Sequence, residues 1–178
     1  MTHANPLIRN VLWPLTLAIF AVAGSMVFKC MTPFVAVAVV AAVTMDVRRG
    51  ALTAAGCWAL NQASGYCLSG YPVDQYSLGW GAALGGGTML SYLVARWMTG
   101  GEGATLARTA IAAVAAYVAY EASLYAVALA FGGVHTFTAD IVLGLAVNNA
   151  VWLAVLLAAQ RALSASSPRL FGKPLRLA

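Results

Sequence analysis

Six apolar stretches, separated by short polar segments, dominate the pattern of residues along this chain. About 20 helical residues are needed to cross a bilayer core of about 30 Å, and four of the six stretches meet or nearly meet that length. The second stretch is short, and Lys29 and Pro33 bracket the turn before it. The pattern therefore predicts an all-α integral membrane protein with six transmembrane helices in a single domain, residues 1–163. These helices are expected at Val11–Phe28, Met31–Met45, Ala51–Leu68, Leu78–Met98, Leu106–Phe131 and Phe137–Leu163.

The basic residues are distributed unevenly between the two sides of such a bundle. Of the ten Lys and Arg residues, only Lys29 falls on the side opposite to the others. Short loops rich in Lys and Arg stay in the cytoplasm. Both termini are therefore predicted to be cytoplasmic, with residues 164–178 as a short basic tail near anionic headgroups, in a multi-pass protein of a bacterial inner membrane. The residues on this side are Arg9, Arg48, Arg49, Arg96, Arg108, Arg161, Arg169, Lys173 and Arg176.

The composition excludes several other classes of protein. The chain is 62% hydrophobic and only 8% charged, whereas about a quarter of the residues in a soluble domain are charged. A net charge of +5 does not indicate nucleic-acid binding, because the basic residues flank apolar stretches rather than cluster on a folded face. The glycines Gly85, Gly86 and Gly87 precede Thr88 without the Gly-Lys pair of a phosphate loop, so no ATP site is expected.

Polar side chains within the apolar stretches predict a cavity. In the fifth stretch, Tyr117, Glu121 and Tyr125 have the i, i+4, i+8 spacing that aligns side chains on one helix face. Asn148 in the sixth stretch and Asn61 in the third lie at similar depths. Ionisable groups inside a membrane are costly and usually face the bundle interior. For the amides, hydrogen bonding between helices is an equally good explanation and stays open.

The two predicted external loops carry the other candidate binding residues. The first loop combines glycines, tyrosines, a thiol and a carboxylate, and the second contains a histidine. Tyrosines at this level also form ordinary belts at a membrane surface, which is the alternative for Tyr71 and Tyr76. The candidates for substrate binding in and beside these loops are Tyr66, Tyr71, Asp74, Tyr76, Trp80 and His135.

Cys67, in the first of these loops, has three competing interpretations. It could form a disulfide with Cys30, also predicted at the external face, because oxidising compartments permit disulfides. It could be a ligand for a soft or borderline metal, alone or with His135. It could also be a small apolar residue that only fills space. The residue pattern leaves these alternatives open.

Short helices with both ends inside, no ATPase and an outward-facing cavity resemble the S components of energy-coupling-factor vitamin transporters. With an external cysteine, the chain is most similar to the solitary cobalamin (vitamin B12) type, the BtuM family. S components that dock on a shared coupling module have an Ala-x-x-x-Ala surface on the first helix. Here the residue four positions after Ala18 is Val22 instead of alanine, and only the looser Ala21-x-x-x-Ser25 remains. This departure favours a solitary form over one bound to a coupling module.

The resemblance implies a role for each candidate residue. Cys67 would be the axial ligand of the cobalt in cobalamin, and its electron donation would support removal of the cyano ligand, the one enzymatic activity implied. Tyr66, Tyr71, Tyr76 and Trp80 would flank the corrin ring, and its amide side chains would be bound by Asn61, Glu121 and Asn148. Cobalamin is then the bound substrate rather than a resident cofactor. The alternatives are an S component for another vitamin or a metal ion, a membrane thiol oxidoreductase using Cys30 and Cys67, and a structural membrane subunit.

Overall fold

The described part of the chain is entirely helical. The computed structural model describes residues 11–20 and 32–171, apart from the side chains of residues 169 and 170. Within these residues it contains seven α-helices and one 3₁₀-helix, and no β-strand. The helices are α1 (Val11–Phe20), α2 (Phe34–Thr44), α3 (Val47–Cys67), α4 (Gln75–Thr99), α5 (Leu106–Phe131), the 3₁₀-helix Val134–Thr136, α6 (Ala139–Ser166) and α7 (Pro168–Phe171). The prediction of an all-α protein is confirmed.

Local capping signals fix the helix boundaries. Asp46, Asp74, Thr105 and Thr138 precede α3, α4, α5 and α6, and each side chain accepts a hydrogen bond from the backbone N–H three residues later. Helix α4 ends at Gly100, whose φ of 71° lies in the left-handed region that glycine adopts easily. The observed boundaries of α2 to α6 therefore lie within four residues of the predicted ones.

Helix α2 is the centre of the bundle. Every residue from Phe34 to Val43 is buried, and the helix contacts α3, α4, α5 and α6. Its N-cap residue, Pro33, makes no side-chain hydrogen bond to the helix. The side-chain carbonyl of Asn149 in α6 instead accepts from the backbone N–H of Ala36 at 3.1 Å. Because a buried, unpaired backbone group is costly, this bond from another helix stabilises the start of α2.

The other end of α2 is capped by α4. The guanidinium of Arg96 donates to the backbone carbonyls of Ala42 at 3.0 Å and Met45 at 2.7 Å. Nearby, the carboxyl of Asp46 accepts hydrogen bonds from the backbone N–H of Arg49 at 3.0 Å and from its guanidinium. These bonds, the backbone one first, lower the pKa of Asp46. A network of backbone carbonyls, Arg and Asp thus closes this end of the bundle.

Charge is segregated along the bundle axis. The described basic side chains lie at the end where α2, α4 and α6 finish and α3 and α5 begin; they are Arg48, Arg49, Arg96, Arg108 and Arg161. The described residues at the opposite end, where α3 and α5 finish and α4 and α6 begin, include no Lys or Arg. The remaining basic side chains, of Arg9, Lys29, Arg169, Lys173 and Arg176, are outside the described part of the structure.

Two of the described helices, α5 and α6, are long and apolar enough to cross a membrane. The most apolar 18-residue stretch has a mean hydropathy of 1.5 in α5 and 2.2 in α6, and only 22% and 11% of the residues in these stretches are buried within the protein. Their outer faces carry large apolar side chains such as Val114 and Val147, each more than 60% exposed. Helices α3 and α4 are 21 and 25 residues long but less apolar. Helix α1 is described only to Phe20, so the rest of the first predicted span lies outside the described residues.

The first and last described helices, α1 and α7, meet beside the end of α2. The indole of Trp13 in α1 donates to the hydroxyl of Thr44 at 2.9 Å, and its ring meets the ring of Phe171 edge-on at 6.4 Å. Helix α6 continues three residues beyond Leu163, the predicted end of the domain. Buried Ser164 accepts a hydrogen bond from Gln160 at 3.0 Å. The first three residues of the predicted tail are therefore helical, and the first of them, Ser164, is buried.

Candidate binding cavity

A cavity of about 630 Å³ lies at the end of the bundle that has no described Lys or Arg. Helices α3 and α4 form one side, and α5, α6 and the segment between them form the other. Thr32 and Phe34, at the start of α2, also line it. Because α2 is short and central, its N-terminus stops below the ends of its neighbours and leaves the space that becomes the cavity.

Hydrogen-bonded side chains line the α3 side of the cavity. The amide of Asn61 donates to the hydroxyl of Thr32 at 2.6 Å, and Gln62 donates to the carbonyl of Asn61 at 3.3 Å. The hydroxyls of Tyr66 and Ser77 are 3.3 Å apart. These bonds hold the polar groups in fixed positions along the cavity wall.

Aromatic rings form much of the rest of the wall. Tyr66 and Tyr71 meet edge-on with ring centroids 6.3 Å apart, and Tyr76 and Trp80 do so at 6.4 Å. Phe137, after the 3₁₀-helix, lines the opposite side. Such rings give large contact area with few rotatable bonds, which suits them to enclosing a flat organic ligand.

Two buried polar atoms in the cavity lining have no hydrogen-bond partner among the described residues. They are Nε1 of Trp80 and Oε1 of Glu121. Glu121 is ten residues from the end of α5, or about 15 Å along the axis. Since nearly all buried polar atoms in native proteins are hydrogen-bonded, a donor and an acceptor without partners in one cavity are the atoms that a ligand would satisfy.

The structure brings six of the predicted site residues together. The members of the cavity lining that were predicted from the sequence are Asn61, Tyr66, Tyr71, Tyr76, Trp80 and Glu121. They come from α3, α4, α5 and the loop between α3 and α4. This grouping follows from the antiparallel order of these helices, which places the end of α3, the start of α4 and the end of α5 side by side.

Five other predicted residues lie outside the cavity lining. Asp74 is the exposed N-cap of α4 and accepts from the backbone N–H of Ser77 at 2.7 Å. Tyr117 donates to the carbonyl of Val142 and faces a second, mostly apolar cavity of about 490 Å³ between α2, α5 and α6.

Tyr125 is 42% exposed and meets Phe137 edge-on. His135, in the 3₁₀-helix, and Asn148, in α6, are not part of the lining either.

Cys67 is the last residue of α3 and is exposed. Successive helical residues are about 100° apart around the axis, so Cys67 points away from Asn61, Gln62 and Tyr66, which line the cavity. Cys30, its predicted disulfide partner, lies outside the described residues. Among the residues that are described, no group of three or more His, Cys, Asp and Glu could hold a metal ion.

Several lining residues were not among the predicted site residues. On α6 they are Ile141, Val142, Leu145 and Asn149. The face of α6 toward the cavity therefore contains Asn149 rather than the predicted Asn148. On α5, Tyr120 and Leu124 line the cavity beside Glu121. The amide of Asn149 was a visible signal, but its neighbour Asn148 gave the same signal.

The chain matches no protein-family model, no curated protein and no solved structure.

Gly81 is a position where one methyl group should change the cavity. A Cβ added there would lie 2.4 Å from Oε1 of Gln62 and 3.3 Å from the hydroxyl of Tyr66, both in the lining. We expect Gly81→Ala to displace Gln62 and weaken ligand binding by about tenfold, the usual effect of one misplaced methyl in a pocket. Gly86→Ala on the same helix is the control, because nothing lies within 4 Å of its added Cβ. Equal affinities for the two variants, measured by equilibrium dialysis, would contradict this.

Proposed function

We propose that this chain is a substrate-binding transport protein of the bacterial inner membrane, which takes up a small organic molecule, with cobalamin as the leading candidate, through the cavity described above. The observation that carries the proposal is the cavity itself. It combines aromatic walls, fixed amide groups and two buried polar atoms that have no partner among the described residues. This is the composition of a small-molecule site rather than of a packing defect.

A position within a membrane is supported by the outer surface of the bundle. Helices α5 and α6 expose their apolar side chains instead of burying them, whereas the long apolar helix of a soluble protein would be mostly buried. In a bilayer these faces would contact lipid. The position of the described arginines at one end supports a cytoplasmic location for that end, so the cavity would open on the external side.

Cobalamin is larger than the ligands that a cavity of this volume encloses. Cavities of about 300–1,000 Å³ hold drug-sized molecules, so a corrinoid would place one part in the cavity and leave the rest at its mouth. Tyr71 and Tyr76 line the cavity and are 42% and 51% exposed, so they would contact the corrin ring there. The lining amides and Glu121 would bind the polar groups on its rim.

The orientation of Cys67 distinguishes two forms of this proposal. In the first, the corrinoid binds in the cavity without contact between the thiol and cobalt. In the second, Cys67 is the axial ligand, as the resemblance implies, and the last turn of α3 must rotate to bring the thiol toward the mouth. Gly70, with φ of 69° just after this turn, supplies a flexible point for such a change.

The test is an absorbance spectrum of the protein purified in detergent from cells grown with cyanocobalamin. We expect a corrinoid band at about one equivalent per chain. If Cys67→Ala changes the axial-ligand features of this band and Cys57→Ala, in the buried core, does not, the second form holds. If Cys67→Ala leaves the band unchanged, the first form holds. A colourless wild-type protein would exclude cobalamin and direct the search to smaller vitamins.

A further inference from the structure

The described side chains around the cavity include one acidic group and no basic one. Among the described residues that line it, Glu121 is the only carboxylate, and there is no Lys, Arg or His. The ion pair between Arg49 and Asp46 lies at the opposite end of the bundle. Among the described lining residues, a ligand with a negative charge would therefore find no cationic side chain to compensate its lost hydration.

The uncharged groups of the lining also disfavour a negatively charged ligand. The faces of Tyr66, Tyr76 and Trp80 carry the negative part of the ring quadrupole, which attracts cations and electron-poor rings and repels anions. The positive ends of three helix dipoles, at the starts of α2, α4 and α6, also lie at this end of the bundle. Their effect is reduced because the N–H of Ala36 donates to Asn149, and the caps Asp74 and Thr138 accept from the backbone N–H groups of Ser77 and Ile141.

Glu121 has a free acceptor at the centre of this environment. Its Oε1 is buried and has no partner among the described residues. The groups best suited to this oxygen are N–H donors, as in a carboxamide or a protonated amine, because they bring a positive or partly positive hydrogen to a carboxylate. A ligand carboxylate at the same place has only acceptor oxygens and no hydrogen to donate to Oε1.

We infer that the cavity selects organic ligands whose inserted part carries N–H donors and no negative charge, and that Glu121 determines this selectivity. The inference rests on the proposed function, because it concerns the ligand of the same cavity. It goes further by excluding vitamins that would have to insert a carboxylate or a phosphate. Carboxamide-bearing molecules, of which cobalamin is one, meet the requirement.

The experiment compares ligands that differ only by carboxamide and carboxylate. The probes are cyanocobalamin with its monocarboxylic acid, in which one side-chain amide is hydrolysed, and nicotinamide with nicotinate. Binding is measured by equilibrium dialysis against the purified full chain in detergent. We expect the wild-type protein to bind the amide of a pair at least tenfold more tightly than the acid. We expect Glu121→Gln to reduce this ratio to about threefold or less.

Glu102→Gln is the matched control, since Glu102 is exposed in the loop between α4 and α5, at the other end of the bundle. It should leave the ratio at its wild-type value. Both members of a pair are measured on the same preparation, so a loss of folded protein lowers both alike and cancels in the ratio.

The outcomes separate the inference from the proposed function. Equal binding of amide and acid by the wild-type protein, or a ratio that Glu121→Gln leaves unchanged, would overturn the inference while leaving a ligand-binding cavity in place. Binding of none of the four probes would overturn cobalamin as the substrate and this assignment of ligand class together.

Discussion

Replacing Trp80 with alanine is expected to weaken ligand binding by about thirtyfold, corresponding to about 2 kcal/mol. The indole lines the cavity, meets Tyr76 edge-on at 6.4 Å, and has a buried Nε1 without a partner among the described residues. Alanine would remove an aromatic wall and a hydrogen-bond donor together. The affinity can be measured from the quenching of tryptophan fluorescence or by dialysis with the corrinoid.

Trp97→Ala is the control for this prediction. Trp97 belongs to the same helix, α4, but is 84% exposed near the basic end. It should not change the affinity, although both variants lose one tryptophan. Trp80→Phe separates the two contributions of Trp80, because it keeps a ring and loses the N–H; an intermediate affinity is expected. A Trp80→Ala protein that remains folded and binds as tightly as the wild type would show that the ligand does not occupy this cavity.

The helices could be predicted from the sequence because their determinants are local. The apolar length of each stretch is visible directly in the sequence. The helix ends depend on single residues within one turn, namely the caps Asp46, Asp74, Thr105 and Thr138 and the C-terminal Gly100. Helix α5 was predicted with its observed limits, Leu106–Phe131. The grouping of residues from α3, α4 and α5 at one end also followed, since it depends only on chain direction and helix length.

The rotation of each helix about its axis could not be predicted in the same way. Helix α6 is apolar on nearly every side, so its sequence does not indicate which face meets the bundle. The structure turns Ile141, Leu145 and Asn149 to the cavity, and the prediction had chosen the stripe one residue earlier, through Asn148. A difference of one residue is about 100° of rotation, which is enough to exchange a lining residue for one beside it.

The central position of α2 was also invisible in the sequence. Its short apolar stretch was consistent with a shortened span, but its burial depends on contacts with four other helices. The groups that cap it, Asn149 and Arg96, are 113 and 54 residues from their partners Ala36 and Ala42. Only the three-dimensional arrangement shows that the side-chain amide of Asn149 in α6 stabilises the start of α2.

The close contact of α2 with its neighbours leads to a second large expected effect, at Gly50 in the first turn of α3. A Cβ added there would lie 2.8 Å from a ring carbon of Tyr92 and 2.9 Å from the backbone carbonyl oxygen of Ala41. Tyr92 is only 1% exposed, and its hydroxyl donates to the carbonyl of Val47 at 2.8 Å. Neither neighbour can therefore move without breaking buried packing.

Gly50→Ala is expected to lower the free energy of unfolding by about 2 kcal/mol. Overpacking against a rigid neighbour costs about 3 kcal/mol at the upper end of its usual range, and the higher helix propensity of alanine offsets about 1 kcal/mol. Gly56→Ala, on the same helix with nothing within 4 Å of its added Cβ, gains the propensity without the clash. It should stabilise the protein by up to about 1 kcal/mol. Because the two substitutions are chemically identical, any difference between them comes from the surroundings of each glycine. Unfolding in detergent should therefore give changes in the free energy of unfolding of opposite sign. Changes of equal sign would mean that α2 and α3 are not packed as closely as described.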